Sequence, residues 1–210
     1  MKVKIKICGL TRKTDIRAAI AAGVDAIGLV LVPESPRYVS IAKAQELAAE
    51  VPANVHLVGL FMDADAKIVA ESCRQLPLSA LQFHGAETND FASGFGLPWM
   101  KTIAMGEQLH ADGGSSVNIH AWPAACALLF DANRPGQQGG QGEVFDWNRM
   151  PQISQKLVLA GGLNSDNVGT AIKQLRPWAV DVSSGVETTP GHKDKELILR
   201  FCNAVRAASV

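Results

Sequence analysis

Short apolar or β-branched runs alternate with longer segments whose apolar positions recur every three or four residues, from one end of the chain to the other. The runs predict strands at Val3–Cys8, Ala26–Leu31, Val55–Phe61, Ala80–Phe83, Met100–Ala104, Ala127–Asp131, Leu157–Ala160 and Val180–Ser183. Between them, helical spacing predicts helices at Thr14–Ala22, Ile41–Glu50, Ala66–Leu76, Asn167–Leu175 and Asp194–Ala207. In the second of these, Ile41, Ala44, Leu47 and Ala48 fall on one face; in the last, Leu197, Phe201 and Val205 do. Gly23 stands where a glycine closes the first helix, and Asp194 is placed to cap the last. Strands that alternate with helices pair in parallel. Eight such units at about 26 residues each fit a compact (β/α)8 barrel, one catalytic domain over residues 1–210. Spacing alone leaves a doubly wound open sheet as the alternative. Two stretches depart from the rhythm. Gly106–Ala125 predicts a short or irregular fifth helix, and Gly136–Gly142 is a glycine-rich loop after the sixth strand.

Composition narrows the function classes. Hydrophobic residues make up 47% of the 210 and charged residues 19%, enough apolar surface for a sizeable core. Twenty basic residues balance twenty acidic ones, which speaks against a nucleic-acid partner, since that needs clustered excess positive charge. Met1–Ile7 alternates apolar and charged residues, reading as a strand rather than a targeting segment, and no run is apolar enough to cross a membrane. The cysteines at 8, 73, 126 and 202 show no metal-type pairing, so a reduced, cytoplasmic protein is expected.

In a barrel of this kind the chemistry sits where the strands end at their C-terminal side. The first strand ends in Cys8, followed by glycine. A cysteine there is either core filler, as Cys73, Cys126 and Cys202 are read, or a base or nucleophile whose thiol pKa is lowered near a helix start. The sixth strand ends in Asp131, either a turn cap or a catalytic carboxylate; Asp146, further along, reads as the N-cap of the next helix. The seventh strand runs into Gly161-Gly162 and the eighth into Ser183-Ser184-Gly185, turns whose backbone N–H groups can approach a phosphate. Arg37, in a proline-stiffened loop, is placed to reach over the mouth toward a carboxylate or phosphate. His84 ends the fourth strand and by itself reads as structural. His56, His110, His120 and His192 lack metal-ligand spacing, and neither a GxGxxG nor a Walker pattern is present, so no metal, nicotinamide or ATP is expected.

Taken in order, Lys6-Ile7-Cys8-Gly9, Ser35-Pro36-Arg37, Gln82-Phe83-His84-Gly85, Gly139–Trp147, Leu159–Leu163 and Ser183-Ser184-Gly185-Val186-Glu187 closely resemble the phosphoribosylanthranilate isomerase family of tryptophan biosynthesis, in its unfused form. The resemblance covers essentially the whole chain. It implies a cofactor-free Amadori rearrangement of a small phosphorylated substrate, with Asp131 as general acid and Cys8 as general base. It further implies Arg37, Gln82, His84 and Asp181 as substrate-binding residues, with Arg37 near the anthranilate carboxylate. Gly161, Gly162, Ser183, Ser184 and Gly185 would hold the phosphate, in a monomer or homodimer. Phe83 flanks Gln82 where the family more often has an aliphatic, and Gln141 stands where it usually has threonine. The sister isomerase of histidine biosynthesis is the nearest rival, but it places aspartate where Cys8 stands. A thiol hydrolase would need a histidine partner for Cys8, for which only His84 is available from the strand ends. The third alternative is a non-catalytic phosphate-metabolite sensor.

Overall fold

The computed structural model describes residues 2–105, 118–132, 147 and 150–209. Its eight main strands are β1 (Lys4–Cys8), β2 (Ala26–Val30), β3 (His56–Phe61), β4 (Ala80–Phe83), β5 (Trp99–Ala104), β6 (Ala127–Asp131), β7 (Lys156–Leu159) and β8 (Ala179–Val182). Each pairs in parallel with the next, and β1 also pairs with β8, Lys6 opposite Asp181. That last pairing closes the barrel and removes the open-sheet alternative. The helices are α1 (Lys13–Ala21), α2 (Ile41–Ala48), α3 (Ala66–Gln75), α4 (Asn89–Ser93), α5 (Val168–Leu175) and α6 (Lys195–Ala208). Between β8 and α6 a small antiparallel hairpin forms from β9 (Glu187–Thr189) and β10 (His192–Lys193). No helix among the described residues is long and apolar enough to span a membrane.

Local signals explain most boundaries. Gly23 takes φ +73° just beyond α1, a left-handed turn open to glycine. Asp194 accepts from the backbone N–H groups of Glu196 and Leu197 at 2.8 and 2.9 Å, capping α6 as expected. Helix α4 was not expected. It has five residues, too few to show a period, and is held by the Thr88 cap and by Phe91 packed edge-on against Phe83 and Phe95. Within Gly106–Ala125 the described part holds a 3-10 turn, Ile119–Ala121. Residues 106–117, the 136–142 glycine loop and Asp146 lie outside the described residues.

In a closed barrel the two faces of each strand have different destinations: one packs on the helices, the other fills the interior. Ile5, Ile7, Ile27, Leu29, Leu81, Phe83, Leu128 and Phe130 face outward onto Ile16, Leu47, Ile198 and Phe201. Val58, Met100, Leu129 and Val158 plug the interior with the small residues Ala127, Ala160 and Ala179. On α6 the buried face is Ile198, Phe201, Cys202 and Val205, with Leu197 at its edge. Cys126 is not core filler. It precedes the first residue of β6 and is exposed.

Candidate active site

The C-terminal ends of the strands surround one pocket, and Cys8, Arg37, Gln82, His84, Asp131, Asp181 and Ser183 all line it. The two residues read as acid and base come from β1 and β6, three strands apart around the closed barrel. Gly161, Gly162, Ser184 and Gly185 do not line the pocket. Gly161 and Gly162 adopt φ of +78° and +61°, and a side chain on Gly185 would fall on the Leu163 carbonyl, so the last two strand-end turns pack directly on each other.

Cys8 is buried at 6% exposure, and two glycines make its surroundings. A Cβ on Gly28 would lie 2.7 Å from the Cys8 sulfur and 3.2 Å from the Lys6 ammonium, so the bare glycine opens the space those two groups share. Gly9, at φ +74°, turns the chain out of β1, and a Cβ there would strike the Arg37 stem at 2.5 Å. Burial pushes the Cys8 thiol above its ordinary value; Lys6 and Lys193 pull the other way and Asp181 adds to the push. The lowered thiol expected from a nearby helix start is thereby corrected: α1 begins only at Lys13, and desolvation prevails at the strand end.

Beneath Cys8, Lys6 donates to Asp181 at 2.9 Å, with both side chains buried. Burial works against the Lys6 charge, but Asp181 and Cys8 outweigh it and hold the ammonium above its usual range. Three polar atoms of pocket-lining residues have no hydrogen-bond partner among the described residues: Asp181 Oδ1, Gln82 Oε1 and His84 Nδ1. Burial and the Lys101 charge push His84 down to about 4, so it is neutral at physiological pH. Leaving such groups unpaired costs about 1–3 kcal/mol each, a cost that a polar ligand offsets on binding. Two of the three are acceptors suited to substrate hydroxyls.

Arg37 does not simply reach over the mouth toward an external anion. Its guanidinium is buried and forks onto Glu187, Nε to Oε1 at 2.9 Å and Nη2 to Oε2 at 2.7 Å. Glu187 also accepts from Lys193 Nζ at 2.7 Å and from the Gly191 N–H at 3.1 Å. Lys193 in turn donates to the Ser183 carbonyl and hydroxyl at 3.1 and 3.2 Å, and the Ser183 hydroxyl donates to the Cys8 carbonyl at 3.1 Å. The β9–β10 hairpin thus ties the arginine loop to the ends of β8 and β1. Burial raises the Glu187 carboxyl, yet Arg37 and Lys193 outweigh it and hold the group below the usual glutamate range.

Lys193 does not stand out in the sequence, and Lys6 and Glu187 enter it only as parts of motifs. A signal existed for Lys6, which stands two residues before Cys8 and so shares its strand face. Glu187→Ala is expected to lower stability by about 3–5 kcal/mol, because it removes the carboxylate that two buried cations share. A urea titration checks this, and a loss below about 1 kcal/mol would show the cations to be well solvated without their carboxylate. The wild-type contribution of this carboxyl is complete above the ordinary glutamate range and fades as pH falls through its lowered value.

The model for the family described as N-(5'-phosphoribosyl)anthranilate (PRA) isomerase matches residues 5–204. The chain belongs to this family. The PRA isomerase of Cellvibrio japonicus is 48% identical to it over 98% of this chain and 94% of the relative. A crystal structure of the Thermotoga maritima enzyme superposes with a TM-score of 0.80 at 32% identity, covering 98% of this chain and 99% of that one. Another PRA isomerase structure, solved in complex with reduced 1-(o-carboxyphenylamino)-1-deoxyribulose 5-phosphate, gives 0.77 at 30% identity, covering 98% of this chain and 99% of that one. As a PRA isomerase, the chain is an isomerase on the (β/α)8 scaffold, as its strand ends imply.

Proposed function

We propose that this isomerase converts N-(5-phosphoribosyl)anthranilate to 1-(2-carboxyphenylamino)-1-deoxyribulose 5-phosphate in tryptophan biosynthesis, with Asp131 as general acid and Cys8 as general base. The observation that carries the reading is the common pocket: a thiol from β1 and a carboxyl from β6 line it together with Arg37, Gln82, His84 and Asp181. The reaction needs a proton delivered to the ribose ring oxygen, which breaks the bond from that oxygen to C1 and leaves an open-chain Schiff base. A proton then leaves C2, and the resulting enolamine tautomerises to the ketone. Asp131 supplies the first proton and the Cys8 thiolate takes the second. Electrons only redistribute within the substrate, so the balance requires no oxidant or reductant.

Arg37, held rigid by Glu187, sits near the anthranilate carboxylate. The unpaired oxygens of Asp181 and Gln82 receive sugar hydroxyls. Ser183 lines the pocket, and Ser184 and Gly185, with Gly161 and Gly162 on the turn packed against them, hold the phosphate beside it through backbone N–H groups. Such remote binding energy orients the reacting carbons. We further read the chain as one catalytic domain working in the cytoplasm, as a monomer or homodimer, on a small phosphorylated molecule and without nucleic acid. Purified protein is expected to extinguish the fluorescence of phosphoribosylanthranilate without added metal or nucleotide. Consumption of the aminoimidazole substrate of histidine biosynthesis alone would overturn the assignment.

A further inference from the structure

Below the pocket floor, next to Cys8 and Asp181, lies an ionic group that the mechanism above does not use. Lys6 lies in the barrel interior at 3% exposure, on the same strand face as Cys8 and one step deeper. Among the described residues its ammonium pairs with Asp181 at 2.9 Å, and that ammonium and the Cys8 sulfur border the same gap above Gly28. An interior lysine is an expensive way to fill a barrel, since a methionine or leucine of similar volume packs there without desolvating a charge. We propose that Lys6 is a positioning residue for the reaction, an ammonium fixed under the sulfur that stabilises the Cys8 thiolate as the working base, with Asp181 as the opposing charge that limits this effect. The inference rests on the reading of Cys8 as the base.

The geometry makes the arrangement specific. Asp181 anchors the ammonium from β8, register partner of β1 at Lys6, so Nζ cannot swing away from the sulfur without breaking a buried ion pair. Gly28 on β2 supplies the clearance on the other side. The other charges that face the thiol among the described residues are accounted for. Lys193 reaches it from β10 but is held by Glu187 and Ser183, Arg37 is forked onto Glu187, and His84, just past β4, is neutral. Asp131 closes the far wall from β6. The influence of Lys6 on the thiol exceeds that of Asp181 and opposes the burial that otherwise keeps the proton on sulfur.

The test is the pH dependence of iodoacetamide labelling at Cys8, followed by peptide mass spectrometry in the free enzyme. Lys6→Met is expected to raise the labelling midpoint by about one to three pH units. Asp181→Asn is expected to lower it, and Lys6→Arg to hold it near wild type. Turnover lost in Lys6→Met should recover as pH rises toward the new midpoint. Because Lys6→Met strands Asp181, the double variant Lys6→Met/Asp181→Asn removes both charges together, and its midpoint should still lie above wild type. A purely packing role would not move the two single variants in opposite directions. A wild-type midpoint in Lys6→Met or in the double variant, or an upward shift in Asp181→Asn, overturns the proposal. If the midpoints move as stated but Cys8→Ala turns over normally, the assignment of the base fails instead.

Discussion

Replacing Cys8 with alanine or serine is expected to lower kcat by about 10²- to 10⁴-fold, the span that a single positioned base contributes to proton transfer. The fold should survive. The residue is buried, but its neighbours in the same small cluster, Val30 and Val32, hold the top of β2 independently of the sulfur. Serine keeps the shape and still fails, because its hydroxyl does not ionise in the accessible pH range. The sign of the pH dependence follows from the environment. A base works only without its proton, and burial pushes the Cys8 thiol above the ordinary cysteine value. Activity in wild type should therefore climb as pH rises through the thiol's ionisation, and this ascending limb should be missing from the residual activity of Cys8→Ser. Stopped-flow fluorescence over a pH series measures both. Normal turnover in either variant would remove Cys8 from the mechanism, whatever the pocket contains.

Much of this site can be reached from the order of residues alone, and the exceptions have a common cause. Cys8 and Asp131 stand at strand ends, so a rule about where barrels carry chemistry finds them without coordinates, whereas Asp181, one residue inside the end of β8, comes only from the family resemblance. Lys6 shows where that rule stops. In Lys4-Ile5-Lys6-Ile7 the alternation looks like a strand with isoleucines inward and lysines in water. Closure of the sheet reverses the sense of inward: the isoleucines meet the helices, Lys4 pairs with Asp25, and Lys6 enters the interior. The pattern of a half-exposed strand and that of a barrel strand carrying one functional charge are the same pattern. Glu187 and Lys193 were hidden for a different reason. Their partners lie 150 and 10 residues away in the chain, at Arg37 and Ser183, and only the hairpin that follows β8 brings them together. A five-residue strand pair of that kind has too few positions to announce itself by periodicity.

The barrel mouth also concentrates buried charge to an unusual degree. Lys6–Asp181, Arg37–Glu187, Lys193–Glu187 and Lys101–Glu87 are all pairs whose side chains are nearly inaccessible. Such pairs contribute little net stability against well-packed apolar residues. What they provide is fixed orientation, since each partner loses its hydration unless the geometry is kept. The Lys101–Glu87 pair acts this way on the β4 side, where Glu87 also accepts from the Asp63 and Gly85 N–H groups at 2.8 and 2.9 Å, setting the loop that carries His84. A site that must open a sugar ring and then remove a proton one carbon away gains from groups that cannot drift.

Asp131→Asn should cost turnover on the same scale as loss of the thiol, about 10²- to 10⁴-fold, yet at an earlier step. The amide matches the carboxyl in size and can donate a hydrogen bond to the ring oxygen, but it has no proton to give up when the bond to C1 breaks. Substrate should therefore bind with a nearly unchanged KM while the ring stays closed. Cys8→Ala leaves the acid in place, so its substrate should open and wait as the Schiff base. Cyanoborohydride distinguishes the two by reducing an open-chain imine to a stable secondary amine. Cys8→Ala is expected to yield that amine above the level formed without protein, and Asp131→Asn is not. Equal trapping in both variants would mean that the β6 carboxyl does not deliver the first proton. Labelling of Cys8 in Asp131→Asn should keep its wild-type amplitude, because the acid and the base are supplied from separate strands and the loss of one leaves the other assembled.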